Sequence, residues 1–584
     1  MWTHIARFVL RQRLLLLLSL LAVTVLFALR IPDVRLQYTF GGLLPKTDST
    51  AVDYQNFIDR FGVEGNVMLI GSDTEVLTDP AKLQAWYELT EEVKRMPVLV
   101  DTTENGVADP VPLPMIDSVF SVTHAYTLDK DTAERKFTLR PIVAPGRMRA
   151  GGQVDQAFTD SLREAVLALP FYEGFLFTEA QDATLMMVFL DAALFNSERR
   201  GTVVEDITAL TNAWSAEHDQ PLYLSGLPFI RTEMTNKVKG EIGYFIGAAL
   251  FVTALLLFLF FRNPTVMGVS LVVVATGVIW SLGMMAVFDF PITLLMSLIP
   301  PLMIVIGVPN CIYLVNKYHA EFKRHGNKMM ALQRMIVKVG NATLLTNFTT
   351  ALGFATFIFT HSSVLRHFGI VASINILAVF LISIIVIPAL MLWLPEPRPK
   401  HTRHLDRRWM FVWVNHLVRI VQEHRPKVYL GALAVLVFSV LGIVQMQTTG
   451  NIVDDLPDSD RVITDLKWME DRFHGAMPFE VLVDTDKPGK ATSPAMLSRV
   501  EDLQELLAEY PEFSRSLSAG DAMKFAMQAF YNGDPKRYRL PNRRERSFIG
   551  PYLRGTEQAA SESDAASGVA NNFMDTAKAV TRIS

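Results

Sequence analysis

The sequence predicts an α-helical polytopic membrane protein with external α+β domains, built as an internal repeat whose second half is incomplete. Three observations lead to this fold class. Half of the 584 residues are hydrophobic while one fifth are charged, so the chain must meet both lipid and water. Seven apolar runs are long enough to cross a bilayer. Finally, the segment 7–61 recurs at 419–473 without a gap.

The repeat relates its two segments at one constant offset of 412, so that Arg60 recurs as Arg472 and Phe61 as Phe473. The repeated unit is a membrane helix followed by the start of an external domain, as in many transporters with two-fold repeats. The second external segment is shorter than the first. We therefore expect either a truncated chain or a natural seven-span half-transporter.

The predicted spans are close to or longer than the roughly 20 helical residues that cross a bilayer about 30 Å thick. They are 14–29, 243–261, 265–288, 292–315, 342–359, 367–394 and 428–446. Residues 1–30 hold the N-terminus and the first span, which we expect to be a retained anchor because no signal-peptide cleavage pattern follows it. Spans two to six fill 243–394, where short hairpins predict one compact bundle.

Lysine and arginine residues predict the orientation of these spans. They cluster before span one, between spans four and five, and between spans six and seven. With seven crossings, all three clusters fall on one side, which the positive-inside rule makes the cytoplasm. We expect a multi-pass protein of a bacterial inner membrane, with a cytoplasmic N-terminus and the segments 31–242 and 447–584 in the periplasm.

The first external segment, 31–242, alternates strand-like and helix-like patterns. The predicted strands are 66–71, 174–178, 183–190 and 222–225. The predicted helices are 80–95, 154–169 and 202–217. Short βαβ units follow from this order. The second external segment, 447–584, begins on the same plan with a strand at 479–484.

Two further pieces are expected on the cytoplasmic side. Residues 317–339 form an amphipathic pattern, which predicts a helix lying along the inner membrane surface or packing under the bundle. Residues 395–427 contain three prolines and then an apolar stretch at 409–418. This pattern predicts a linker with a second short surface helix, ahead of the seventh span at 428–446.

The stretch Gly-Val-Pro-Asn-Cys-Ile-Tyr-Leu-Val-Asn-Lys-Tyr at 307–318 resembles the fourth-span motif of the resistance-nodulation-division (RND) superfamily, in its MMPL-like hydrophobe-exporter branch. The block 349–354, with Phe368-Gly369 and Pro388-Ala389-Leu390, resembles spans five and six of that branch. The resemblance implies an RND-type repeat with ferredoxin-like βαβ porter domains. It also relates spans two to six to the five-helix unit of sterol-sensing proteins.

The resemblance implies twelve spans and export of a hydrophobic or amphiphilic molecule, such as a lipid, driven by proton influx. This chain would hold spans one to seven. The resemblance does not decide whether the partners include a second copy of the chain, in a homo-oligomer, or a periplasmic adaptor. The alternatives are a sterol-sensing, Patched-like receptor or scaffold without proton-coupled transport, and a SecDF-like translocation auxiliary.

Enzyme, cofactor and nucleic-acid functions find little support in the composition or motifs. The net charge is −4, and neither a phosphate-binding loop nor a His-Glu-x-x-His pattern occurs. Cys311 is the only cysteine, which excludes an intramolecular disulfide and a cysteine-rich metal site. We expect no catalytic residue, cofactor or metal.

The candidate coupling site departs from the family pattern. Alignment of the motif puts Pro309 where the family has its span-four aspartate, and Asn310 beside it. Asn347 should lie at a similar depth in span five, since each helical residue rises about 1.5 Å, with Thr346 and Thr350 nearby. These groups predict a polar patch that either holds the two spans together or forms the neutral side of a proton relay. In the second case, span ten would supply the carboxylates.

Overall fold

The computed structural model describes residues 1–34, 47–62, 65–96, 98–100, 111–113, 116–144, 147–148, 154–191, 199–396, 408–446, 456–475, 479–560 and 573–584. The chain forms two compact units. The membrane unit comprises Met1–Asp48 and Met234–Asn451, and the external unit comprises Ser49–Glu233 and Ile452–Ser584. Each unit therefore contains residues from both of the similar segments, 7–61 and 419–473.

The helices of the membrane unit come from the N-terminal end and from the middle of the chain. Those before the external unit are α1 (Trp2–Arg11) and α2 (Arg13–Arg30). The external unit then contributes α3 (Ser49–Phe61), α4 (Glu75–Thr78), α5 (Pro80–Arg95), α6 (Gln156–Leu167) and α7 (Arg199–His218). The chain returns through α8 (Leu227–Phe261), α9 (Pro264–Val287), α10 (Leu294–Ser297), α11 (Ile299–His325), α12 (Lys328–Ala355), α13 (Ser363–Trp393), α14 (Arg408–Glu423) and α15 (Arg425–Val444).

The remaining elements belong to the external unit. Its later helices are α16 (Arg461–Phe473), α17 (Pro494–Leu507), α18 (Ala519–Phe530) and α19 (Arg543–Ala560). Its strands are β1 (Val67–Asp73), β2 (Val98–Val100), β3 (Val111–Leu113), β4 (Ile116–Phe120), β5 (Tyr126–Asp131), β6 (Lys136–Pro141), β7 (Ala183–Leu190), β8 (Tyr223–Ser225), β9 (Val481–Asp484) and β10 (Val580–Ile583).

Seven helical segments of the described chain are long and apolar enough to cross a membrane, as the sequence predicted. They are Arg13–Asp33, Leu227–Phe261, Pro264–Val287, Leu295–His325, Lys328–Phe359, Ser363–Trp393 and Arg425–Val444. The second is longer than predicted, because its helix begins at Leu227 and continues through charged residues such as Glu233 and Lys237 before the apolar run. Helical hydrogen bonding does not need to stop where the apolar surface starts.

The prediction of a single helix over 317–339 is wrong. Residues up to His325 continue α11, and the chain turns at Gly326, whose φ of 64° is left-handed. A glycine enters this conformation without the Cβ clash that other residues meet. Asn327 then caps α12 by accepting a hydrogen bond from the backbone N–H of Met330. The amphipathic pattern is therefore shared between two consecutive spans.

Close helix contacts at glycines hold the membrane unit together. A Cβ placed on Gly283 of α9 would lie 2.8 Å from the backbone oxygen of Phe27 on α2. A Cβ on Gly307 of α11 would meet Val274 and Val379 at 3.3 Å. Small residues allow such approach, which is how helices associate in lipid without a hydrophobic driving force.

The main sheet of the external unit has the order β4-β7-β1-β8, and all its neighbouring strands are antiparallel. Helix α5 lies between β1 and β4 in sequence, and α7 lies between β7 and β8. The predicted strand at 174–178 is wrong. Gly174 has a φ of 74°, which turns the chain there, and Phe177 makes only isolated bridges to Glu173 and Thr184.

Helix α16, from the second half of the chain, packs on this sheet from the first half. The rings of Trp468 on α16 and Tyr223 on β8 stack with centroids 4.3 Å apart. Buried Asp465 accepts a hydrogen bond from the backbone N–H of Leu224 at 3.0 Å. This contact joins the two external segments inside one unit.

Candidate functional site in the membrane bundle

The candidate site lies where α11 and α12 pack together inside the membrane unit. Pro309 is part of α11, although it has no N–H to donate to the carbonyl of Val305. Its ring lies on the exposed surface of the helix, whereas the neighbouring Asn310 is buried. Consecutive helical residues project about 100° apart, so only one of the pair can face the bundle interior. That residue is Asn310.

Asn310 and Asn347 form a reciprocal amide pair between the two helices. Nδ2 of Asn310 donates to Oδ1 of Asn347 at 3.1 Å, and Nδ2 of Asn347 donates to Oδ1 of Asn310 at 2.9 Å. Asn347 also donates to the backbone carbonyl of Thr343, one turn earlier, at 2.8 Å. The two side chains are 5% and 3% exposed. The predicted polar contact between the two spans is therefore present.

Thr346 and Thr350 do not join this pair. The Thr346 hydroxyl donates to the carbonyl of Ala342 and the Thr350 hydroxyl to that of Thr346, each at 2.9 Å within α12. Thr346 is exposed and Thr350 is half-buried. Each hydroxyl thus donates its hydrogen bond to a backbone carbonyl of its own helix, as threonines in apolar helices commonly do.

The chemistry of the amide pair is limited to neutral hydrogen bonding. An asparagine amide neither gains nor loses a proton at physiological pH, so the pair cannot carry charge across a membrane. In the sequence, Glu321 is the only acidic residue between positions 290 and 395. The pair can fix the relative position of α11 and α12, and it can present donors and acceptors to a neighbouring group.

The Glu321 cluster, which comprises Glu321 and the basic side chains around it, was missed by the sequence reasoning. Glu321, on the last turns of α11, is 1% exposed, and its carboxylate accepts from Nζ of Lys338 on α12 at 2.7 Å. Lys317, His325 and Arg334 lie 3.6, 3.7 and 3.8 Å from the carboxylate. The spacing of four residues from Lys317 to Glu321 and on to His325 was the available signal.

In the external unit, the His124 ring lies between the Ser121 hydroxyl and the Glu91 carboxylate, which is the arrangement of a hydrolase triad. Nδ1 of His124 lies 3.2 Å from the Ser121 hydroxyl, and Nε2 lies 3.1 Å from Oε1 of Glu91. Burial lowers the pKa of His124, although the Glu91 carboxylate opposes this shift. Ser121 is fully buried, so no substrate can reach its hydroxyl. The arrangement therefore fixes the loop beside α5, where His124 also stacks on Tyr87.

Known proteins resemble part of this chain. A membrane protein of Methanocaldococcus jannaschii, MJ1562, is 22% identical over 216 residues, which cover 37% of this chain and 55% of that protein. The sulfolipid-1 exporter MmpL8 of Mycobacterium tuberculosis is 26% identical over 147 residues, which cover 24% of this chain and 13% of the exporter.

The matched regions thus span about half of the first relative and a small part of the second. The model of the MMPL family matches residues 66–427, which include the candidate site, the Glu321 cluster and spans two to six. This match covers more than half of the 584 residues. The chain therefore belongs to the MMPL family.

Proposed function

We propose that the chain is part of an RND-type exporter that uses the proton-motive force to move a hydrophobic or amphiphilic molecule, such as a lipid, across or out of a bacterial inner membrane. The observation that carries this proposal is the family match, which extends over the bundle and the first external segment together. The M. tuberculosis relative is a sulfolipid-1 exporter, which supports a lipid-like substrate for this chain.

The external unit supports a porter of this kind. The element order β1-α5-β4-β7-α7-β8, with β1 between β7 and β8 in the sheet, supports the proposal of a ferredoxin-like βαββαβ domain. The repeat is also supported by helix bounds, since α3 (Ser49–Phe61) and α16 (Arg461–Phe473) coincide at the offset of 412. Both features are typical of repeated transporter folds.

A cavity in the external unit is a candidate binding site for the polar part of an amphiphile. Its volume is about 390 Å³, and its lining includes the aromatic rings of Tyr510 and Phe513 and the polar side chains of Gln504, Arg515 and Lys524. This size lies within the common range for small-molecule sites, about 300–1,000 Å³. The mixture of apolar and polar walls suits an amphiphile.

Within this function, the Asn310–Asn347 pair serves as a neutral scaffold between spans four and five. The proposal assigns the carboxylates that take up protons to the helix that the predicted repeat relates to α11. The absence of acids from the sequence of spans five to seven motivates this assignment. This assignment requires an intramembrane aspartate or glutamate in that helix. A full-length sequence without such an acid contradicts the assignment.

The test is transport by the complete protein in lipid vesicles. A fluorescent lipid analogue is loaded into the membrane, and its release to an external acceptor is followed with and without an imposed pH gradient. Export that rises with the gradient and stops with a protonophore supports the proposal. Substrate movement that ignores the gradient contradicts it.

A second function is a sterol-sensing-like receptor or scaffold without proton-coupled transport. The proline at the position of the family's titratable group, with a neutral amide pair beside it, favours this function. In the same vesicle assay, this function predicts saturable sterol or lipid binding with no release to the acceptor.

A further inference from the structure

The Glu321 cluster lies where α11 ends and α12 begins, at one end of the membrane bundle. One carboxylate faces three groups that carry full positive charges, those of Lys317, Arg334 and Lys338. His325 also lies beside the carboxylate, at 3.7 Å, and its Nε2 is in contact with Arg334. The cluster therefore retains a net positive charge although its acidic centre is almost fully buried.

Neighbouring residues add to the net positive charge of the Glu321 cluster. Lys323 and Arg324 follow on the same helix end, and the sequence 317–338 contains no acid other than Glu321. The basic groups are not sealed inside the protein, because the side chains of Lys317 and Arg334 are 33% and 42% exposed. Glu321 thus gathers cations from two helices at one place that solutes can reach.

Apolar surface adjoins the same helix end. Met329 and Met330, in the first turn of α12, are 46% and 42% exposed. The two helices that carry the cluster are themselves candidate spans, Leu295–His325 and Lys328–Phe359. Charge and exposed apolar side chains therefore occur together at the level where a span meets the bilayer surface. A soluble anion would use only the first of these features.

We infer that the Glu321 cluster is a binding site for the phosphate headgroup of an anionic phospholipid, with the two methionines against its acyl chains. Basic groups between membrane helices at the bilayer surface are the usual receptors for such headgroups. Arginine and lysine together suit a phosphate, since arginine offers paired donors and lysine a mobile charge. Glu321 is a positioning residue, which holds Lys338 by a hydrogen bond and gathers the partly exposed Lys317 and Arg334 beside the lipid. This inference is independent of the transported substrate.

The experiment measures lipid retention by the purified 584-residue chain in detergent, using native mass spectrometry. The probes are phosphatidylglycerol and phosphatidylcholine with identical acyl chains. The test variant is Lys317→Gln with Arg334→Gln, because these two cations contact Glu321 without a hydrogen bond and their loss leaves Lys338 paired. The matched control is Lys239→Gln with Arg366→Gln, which removes two exposed charges from the opposite end of the bundle.

The wild type and the control should prefer phosphatidylglycerol equally, and the test variant should lose roughly tenfold or more of that preference. Lys317→Arg with Arg334→Lys should keep it. Equal retention of the two lipids by the wild type, or equal losses in test and control variants, overturns the inference. Displacement of phosphatidylglycerol by millimolar inorganic phosphate also overturns it, in favour of a free-anion site. If the double variant unfolds, Arg334→Gln alone decides the question.

Discussion

The side chains of Asn310 and Asn347 hydrogen-bond to each other in both directions across two helices, with N···O distances of 3.1 and 2.9 Å. Each amide uses both a donor and the acceptor oxygen in the pair, away from solvent. A buried amide that is satisfied in this way contributes modestly to stability, while a buried amide without its partner is costly. If the pair has a packing role, removing one amide should therefore cost more stability than its share of removing both.

Asn347→Leu should destabilise the membrane unit by about 1–3 kcal/mol, because the buried amide of Asn310 loses its partner. Asn310→Leu with Asn347→Leu should be less destabilised than the sum of the two single variants. Thermal unfolding in detergent measures both effects. Thr346→Val is the control, and its change should stay within about 0.5 kcal/mol because its hydroxyl bonds only to its own helix.

The same double variant tests the scaffold role in the complete transporter. If the proposed function is correct and the amides only hold α11 and α12 together, export should persist at a rate within a few-fold of the wild type. Loss of export in a double variant that is as stable as the wild type would assign the pair to the relay itself.

Glu321→Gln should be destabilising, because three cations then face one another with no counter-charge. Breaking a buried ion pair costs several kcal/mol, but the half-exposed cations are partly screened here, so we expect about 1–3 kcal/mol. The melting temperature in detergent measures the loss. Glu396→Gln removes an exposed acid near the end of α13 and is the matched control. Equal melting temperatures for the two variants would show that Glu321 does not organise the cluster.

Gly283→Ala should separate α2 from α9, because the new Cβ would lie 2.8 Å from both the Cα and the backbone oxygen of Phe27. Backbone atoms cannot move aside as a flexible side chain can, so overpacking should cost about 1–3 kcal/mol. Gly268→Ala on the same helix is the control, since no atom lies within 4 Å of its Cβ position. That substitution should be neutral or slightly stabilising. The comparison requires only thermal unfolding of the two variants.

The sequence predicted the parts of this structure that depend on local composition. Seven apolar runs gave seven spans because the cost of polar groups in lipid dominates every other preference. Asn310 and Asn347 were paired correctly because the rise per residue fixes their depth. The outward position of Pro309 was missed, since motif alignment says nothing about which side of a helix faces the bundle.

Long-range contacts could not be predicted from the sequence. The end of α11 at His325 was missed because 317–339 has one continuous amphipathic pattern, and the single Gly326 interrupts it. The contact of α16 with β8 joins residues more than 200 positions apart, and no local pattern encodes such pairing. The Glu321 cluster likewise depends on the turn that brings α12 back beside α11.

The stability of the external unit should fall in strong acid through Glu545. Hydrogen bonds from Arg539, together with the Asn542 backbone and Tyr531, lower the pKa of Glu545 to about 2. A carboxyl whose pKa is lower in the folded state stabilises the fold above its unfolded pKa of about 4.3. This contribution is lost as the pH falls toward 2. The melting-temperature gap between wild type and Glu545→Gln should thus be constant above about pH 5 and close near pH 2. A gap that persists at pH 2 would contradict this linkage.

Arg472 and Arg60 align with each other in the predicted repeat, and each pairs with an acid from the other external segment. Arg472 of α16 donates to Asp182 at 2.7 Å and lies 3.6 Å from Asp73, whereas Arg60 of α3 lies 3.6 Å from Asp484. Because Arg472 is less exposed and has a direct hydrogen bond, Arg472→Ala should destabilise the external unit by about 1 kcal/mol and Arg60→Ala by less than about 0.5. Thermal unfolding of both variants at low and high salt measures this difference. Each loss should shrink as salt screens the pair. Equal losses for the two arginines, unchanged by salt, would mean that their aliphatic packing rather than the exchanged ion pairs holds the external segments together.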